Sequence, residues 1–307
     1  MEDKYKEVLI DILDEIVDIC KKNNLKYYLG YGSVLGAIRH QGFIPWDDDI
    51  DLVMPRKDYD YLIQNRDKLF TRDYQLSFYG ITSNYHYDFA KVESKKTTLI
   101  ERIDPLYVGG IYVDITPLDN VPSVQEDEKM ITPVKNILFG GYSRYYMYAL
   151  PKKFFLKWIL RKIGRMLYPI DKKLAKCDAI ASQYQDIKTE YVRDFHTSYV
   201  NRGLFKWDVF GNGVEKEFEG KKYVVPTQYD VYLQQYYGDY MTPPPVDERT
   251  SGHTYLYVNC NKRLSDEELK PIVKKLKKAY TYQFSIRKEW RMIIDKFKEW
   301  NNNWNIL

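Results

Sequence analysis

The stretch from Tyr28 to Tyr59, YLGYGSVLGAIRHQGFIPWDDDIDLVMPRKDY, decides the reading of this chain. Tyr27, Tyr28 and Leu29 form a short apolar strand, Gly30-Tyr31-Gly32-Ser33 a tight turn, and Val34 to Ile38 the apolar start of a helix. A second strand follows within Asp47-Asp48-Asp49-Ile50-Asp51-Leu52-Val53-Met54-Pro55, whose second half alternates like a half-buried strand. Side chains alternate across a strand, so Asp49 and Asp51 project from one face while Ile50 and Leu52 enter the other. Two adjacent carboxylates resist joint ionisation unless a cation neutralises them, and oxygen ligands with several waters suit Mg2+ or Mn2+. An acidic cluster alone is as readily a solvated turn. The apolar Ile50, Leu52 and Val53 argue instead for an ordered strand that fixes the carboxylates.

Working outward, Tyr5, Val8, Leu9, Ile12, Leu13, Ile16, Ile19 and Cys20 recur at three- and four-residue steps and predict a helix over 5–22. Arg56 to Phe70 reads as helix. Gln75 to Ile81, Phe89 to Val92 and Ile111 to Ile115 read as strands, so the first 120 or so residues are α+β. In the last of these, Val113 and Ile115 face the core and Asp114 faces away, a candidate third carboxylate once the strands pair. From about 124 to 185 the pattern is helical and basic. Lys222 to Val225 predicts a strand, Gln228 to Tyr237 a short helix, and the box Ser265 with Glu268 opens a helical stretch reaching about Trp300. The expected organisation is a core over 1–123, a helical basic insertion with strands and loops completing the site over 124–262, and C-terminal helices over 263–307.

The 307 residues carry 47 basic and 43 acidic side chains, a net charge of +4, so nothing global points to nucleic acid. The three cysteines, Cys20, Cys177 and Cys260, lack metal-ligand or disulfide spacing and suggest a reducing compartment. The N-terminus lacks the order of a signal peptide, and no run is apolar enough to span a membrane. A cytoplasmic protein is expected. Between Lys152 and Lys176 there are nine basic residues against Asp171 alone. There Lys153, Lys157, Arg161 and Arg165 oppose Phe155, Ile159, Ile163, Met166 and Leu167, a pattern shared by an interfacial membrane helix and a core-packed helix with a solvated basic face.

The turn at Gly32 and Ser33 is weak evidence alone, but glycines permit close approach and Ser33 can cap a helix whose free N–H groups favour phosphate. Coupled to a carboxylate pair on the next strand, it supplies both halves of a nucleotide site. The residues Tyr28 to Tyr59, with Tyr112-Val113-Asp114-Ile115-Thr116-Pro117-Leu118-Asp119 and, more weakly, Tyr236-Tyr237-Gly238-Asp239-Tyr240, resemble the signature of the LicD family of phosphocholine transferases. That family is similar to the catalytic region of fukutin and the fukutin-related protein. The resemblance implies a nucleotidyltransferase-like fold, with Gly32 and Ser33 on the Gly-Ser turn, Asp49 and Asp51 as the metal pair and Asp114 on the later acidic strand. It also implies a CDP-activated alcohol, CDP-choline or CDP-ribitol, as donor and a cell-surface glycan as acceptor.

The expected reaction is Mg2+-dependent transfer of a phospho-alcohol, foremost phosphocholine, to a hydroxyl of a cell-surface glycan or its lipid-linked precursor, with release of CMP. Asp49, Asp51 and Asp114 are the catalytic and metal candidates, and Gly32, Ser33, Arg39 and Lys91 the donor-binding ones, the two cations facing the diphosphate. A lipid-linked acceptor would bring 152–176 to the inner leaflet. Two alternatives stand beside this: a nucleotidyltransferase moving NMP from an NTP to a hydroxyl, and a non-catalytic nucleotide or glycan-binding protein. Trp46, next to the acidic string, is as well explained by the core. His253 follows the triple proline on a loop able to approach the site, although a lone histidine is more often incidental; His40, His86 and His196 have no ligand spacing and are assigned no role.

Overall fold

The computed structural model describes residues 2–103, 105–138, 159, 163–167, 169–196, 200–253 and 255–283. The stripe over 5–22 forms helix α1 (Glu2–Asn23), and its buried face, Leu9, Ile12, Leu13 and Ile16 among others, packs on the sheet. The turn region gives strand β1 (Tyr28–Leu29) and helix α2 (Tyr31–Arg39). Strand β2 (Asp51–Pro55) follows, with Pro55 ending it and preceding helix α3 (Arg56–Gln64) and the short α4 (Arg66–Leu69). Then come β3 (Tyr74–Ser77), β4 (Ala90–Ser94), β5 (Thr98–Ile103), β6 (Leu106–Gly109) and β7 (Tyr112–Val121). The sequence reading did not anticipate β5 or β6.

The main sheet runs β1-β2-β7-β4-β3, with β2 parallel to β7 and the other pairs antiparallel. The far half of β7 continues onto β8 (Tyr191–Arg193), which pairs with β9 (Leu204–Lys206). This is a curled mixed sheet with flanking helices. The alternation expected for a half-buried β2 is corrected: Leu52, Val53 and Met54 are all buried, because β2 lies between β1 and β7 with both faces covered. The strand also begins at Asp51, so Asp49 sits in the segment leading into it rather than on it.

Strands β10 (Val214–Phe218) and β11 (Lys221–Val225) form a hairpin against α2 and β1. Strand β12 (Tyr257–Asn259) pairs with β5, so the later part of the chain is woven onto the earlier one, and a single apolar cluster runs from Tyr5 to Cys260. Helix α5 (Val124–Lys135) and the helix Ile170–Ala181 share a smaller core. The expected capping box is present at helix Asp266–Gln283: Glu268 accepts from the Ser265 N–H at 2.9 Å while its own N–H donates to Ser265 Oγ at 3.4 Å. Residues 284–307, and residues 152–158, 160–162 and 168 of the basic segment 152–176, lie outside the described residues.

Two buried arginines tie the layers together. Arg56 at the start of α3 donates to both oxygens of Asp119 on β7, at 2.6 and 2.9 Å, and to Asp178 at 2.8 Å. Arg193 on β8 pairs with Asp127 of α5.

Candidate active site

The register of the sheet assembles the site. Asp51 on β2 faces Asp114 on β7, and Asp114 faces Lys91 on β4. In-register neighbours share a face, so one row across three strands reads carboxylate, carboxylate, ammonium. The expectation that strand pairing brings Asp114 beside the acidic strand is met, through the parallel β2/β7 ladder.

The turn before α2 abuts this row. The Gly30 N–H donates to the Asp51 carbonyl at 2.8 Å, and the Asp51 N–H donates to Ser33 Oγ at 2.9 Å. Ser33 is 4% exposed and caps nothing: Gly30 is the N-cap, in extended conformation, without a side-chain cap bond. The capping role expected of Ser33 is therefore corrected. Its hydroxyl is taken by the strand, because α2 starts one turn earlier than the apolar run suggested. Tyr31 holds a positive φ of 38°, and its N–H is satisfied by the Tyr232 hydroxyl at 3.0 Å. A bulky residue in this region is strained and needs surroundings that hold it. A Cβ at Gly32 would lie 2.6 Å from Asp47 Oδ2, so the missing side chain admits the Asp47 carboxylate to the N-terminus of α2.

Electrostatics mark the acidic cluster as a place awaiting positive charge. Burial, then the neighbouring Asp49, pushes Asp47 up to about 8. Burial with Asp49, Asp114 and Asp47 raises Asp51 well above the carboxylate range, and burial raises Asp49 as well. Burial also lifts Asp114 to about 6 despite the opposing pull of Lys91. Each group would ionise more readily with a cation among them.

Lys91 is 1% exposed, with Nζ 3.2 Å from Glu101 Oε2 and 3.6 Å from Asp114 Oδ1. It also lies 3.2 Å from the Tyr112 ring centre and 3.9 Å from that of Tyr87, a cation enclosed by aromatic faces. Burial opposes the charge on Glu101, yet Lys91 and the Tyr112 and Tyr87 hydroxyls, each at 2.6 Å, hold it down at about 2. So held, Lys91 directs its charge at Asp114 and Glu101. Arg39, in the last turn of α2, donates to the Tyr240 carbonyl at 2.6 Å and lies beside Trp46.

Asp48 and His253 stand 205 positions apart in sequence and meet here. Ser251 Oγ donates to Asp48 Oδ1 at 2.6 Å, His253 Nδ1 lies 3.1 Å from the same oxygen, and His253 Nε2 is 3.6 Å from Asp49 Oδ2. Burial opposes the His253 charge, but its bond to Asp48 and the fields of Asp49 and Asp114 push it up to about 9. An imidazolium thus supplies positive charge to the string from the loop after the prolines. The approach of His253 from the loop after the prolines is thus met, whereas its partner Asp48 was not singled out, because their meeting depends on the chain returning from β11 through the helix Tyr229–Tyr237.

The residues present fit a divalent cation. Asp114 Oδ1 is buried without a hydrogen-bond partner, and Asp48, Asp49 and, once a cation displaces its proton, His253 offer ligand atoms within 4.8 Å of one another. Carboxylate oxygens dominate this set and suit a hard cation.

Comparison with known proteins finds relatives of the segment that carries this geometry. Residues 24–146 match the family model described as the LicD/FKTN/FKRP nucleotidyltransferase domain. The chain is 29% identical over 259 residues, 80% of its length and 93% of the relative's, to the lipopolysaccharide cholinephosphotransferase LicD of Haemophilus influenzae. It is 28% identical over 129 residues, 41% of its length and 26% of the relative's, to the human ribitol 5-phosphate transferase FKRP. The matched segment contains the turn, the acidic string, Lys91 and Asp114. The chain is thus similar to the LicD family, and its residues 24–146 match that family's nucleotidyltransferase domain.

Proposed function

We propose that this protein is a phosphotransferase that moves a phospho-alcohol, foremost phosphocholine, from a CDP-activated donor to a hydroxyl of a cell-surface glycan or its lipid-linked precursor, releasing CMP. The observation that carries the reading is the in-register row of Asp51 and Asp114 beside the Gly30–Ser33 turn. The likeness to a cholinephosphotransferase and to a ribitol 5-phosphate transferase supports the class of group moved.

In this reading Asp49 and Asp51 hold Mg2+, which when bound draws off charge developing on the leaving CMP. The Gly32–Ser33 turn stands on the donor side, where Gly32 leaves room for the Asp47 carboxylate at the start of α2 and Ser33 fixes the turn to the strand carrying Asp51. Asp114, raised to about 6, is the carboxylate poised near neutrality to accept the proton of the attacking hydroxyl. Lys91, held by Glu101 and two tyrosine rings, keeps Asp114 oriented, and Arg39 stands toward the donor's diphosphate. Positioning and fixed charge supply most of the rate.

Action in the cytoplasm is part of the same proposal, and the buried free thiols of Cys20, Cys177 and Cys260 suit a reducing compartment. So is peripheral contact of 152–176 with the inner leaflet; among the described residues no helix is long and apolar enough to cross a membrane. Product analysis tests the chemistry. Incubation with Mg2+, CDP-choline and a glycan acceptor should release CMP in step with phosphocholine transfer. Release of pyrophosphate from CTP, with none of CMP from CDP-choline, would show nucleotidyl transfer instead.

A further inference from the structure

Outside the acidic cluster, two arginines from distant parts of the chain converge on one indole. Arg39 Cζ lies 5.9 Å and Arg249 Cζ 5.1 Å from the Trp46 ring centre. Both side chains are partly buried, and both are held only by neutral acceptors: Arg39 by the Tyr240 carbonyl at 2.6 Å and His40 Nε2 at 2.9 Å, Arg249 by the Pro244 carbonyl at 2.9 Å. Among the described residues neither guanidinium has a carboxylate partner. Burial, then the neighbouring Arg249 charge, lowers the Arg39 pKa against a smaller opposing pull from Tyr237.

Like charges drawn together without a counter-ion invite an anion, and guanidinium groups match phosphate oxygens with paired N–H donors. Position narrows the choice of anion. Trp46 directly precedes Asp47, and Arg249 stands two residues before Ser251, whose hydroxyl is bonded to Asp48 at 2.6 Å. The arginine pair therefore borders the acidic string, where a ligand with two adjacent phosphates can meet a cation with one and the guanidiniums with the other.

We propose that Arg39 and Arg249, gathered on Trp46, form an anion clamp for one phosphate of a diphosphate ligand whose other phosphate meets the acidic string. This rests on the phospho-alcohol transferase reading and adds Arg249 and Trp46 to its donor-side residues. The same chemistry is offered by a nucleoside diphosphate and by a lipid diphosphate.

Calorimetric titration of the full chain at fixed Mg2+ tests it, with inorganic pyrophosphate, CDP, geranyl diphosphate and cytidine as probes against wild type, Arg249→Gln and Arg249→Lys. The clamp predicts that Arg249→Gln weakens pyrophosphate at least about ten-fold, as loss of a charged hydrogen bond does, that Arg249→Lys restores part of it, and that cytidine is unaffected. A matching loss for CDP places the clamp on the donor; a loss for geranyl diphosphate alone places it on a lipid-linked acceptor. Unchanged pyrophosphate affinity in Arg249→Gln, equal weakening of cytidine, or no pyrophosphate binding by wild type overturns the clamp. Should Arg249→Gln melt well below wild type, the charge-retaining Arg249→Lys decides, and wild-type affinity for every phosphate probe in that variant removes the need for a guanidinium fork. CDP-choline turnover is measured in parallel: turnover without pyrophosphate binding refutes the clamp alone, and Arg249-dependent pyrophosphate binding without turnover of any CDP-alcohol refutes the transferase reading alone.

Discussion

Asp114→Asn is expected to stabilise the cation-free protein while removing its function. Asp114 is 6% exposed, faces Asp51 across the parallel ladder, and is raised from 3.8 to about 6 even with Lys91 Nζ at 3.6 Å. At 1.36 kcal/mol per pKa unit, ionising this carboxyl costs the folded state about 3 kcal/mol relative to the unfolded chain. A raised carboxyl keeps its proton longer when folded, so the fold binds more protons than the unfolded chain between about pH 4 and 6. Stability then falls as pH rises through that window and stays low above it. Asparagine preserves the shape and deletes the charge, so in chelator at pH 8 the variant should be up to about 3 kcal/mol more stable, roughly 6 °C in Tm for a chain of this length. Thermal denaturation across pH 4–9 with and without Mg2+ reads this directly. Saturating Mg2+ and donor should close most of that gap, because a ligand at about 100 times its Kd adds about 2.7 kcal/mol to wild type and less to a variant missing a carboxylate. A variant less stable than wild type in chelator at every pH from 6 to 9 would refute the reasoning and make Asp114 a structural partner of Lys91.

Ser33→Ala should leave the buried Asp51 N–H without its acceptor, costing about 1–3 kcal/mol in urea unfolding and lowering turnover with it; wild-type turnover would separate the turn from the site. Arg56→Ala strands Asp119, which is 0% exposed, and is expected to cost about 3–5 kcal/mol; a loss below about 1 kcal/mol would show that Asp119 needs no counter-charge. Gly36→Ala would place a Cβ 2.4 Å from the Gly42 carbonyl, an overpacking worth about 1–3 kcal/mol, and should also weaken the Mg2+ response by shifting the segment that leads into the acidic string.

The parts of the site legible in the sequence are those whose geometry follows from local period. Asp51 and Asp114 each sit in an apolar strand pattern, so their shared face followed from alternation plus pairing. The capping box at Ser265 and the stripe of α1 follow from helical period in the same way. What was not legible depends on contacts made at long range. The central place of β2 turned an expected alternation into a wholly buried run. Strand β5 carries Glu101 and Arg102 within its pattern, and nothing in the order of residues tells that Glu101 is sheltered by Tyr87, Lys91 and Tyr112. Ser33 looked like a cap because it precedes the apolar helix run, yet the helix had already begun and strand β2 claimed its hydroxyl. Asp48 with His253, and Arg39 with Arg249, are meetings of residues over 200 positions apart, which no spacing rule reaches.

The most direct test of the account is a thermal-shift panel on wild type and Asp49→Asn with Mg2+ and CDP-choline, CDP-ribitol, CDP-glycerol or CTP. The account predicts a Mg2+-dependent rise in Tm with one CDP-alcohol that disappears in Asp49→Asn. A rise with CTP alone, or an undiminished rise in the variant, would contradict it.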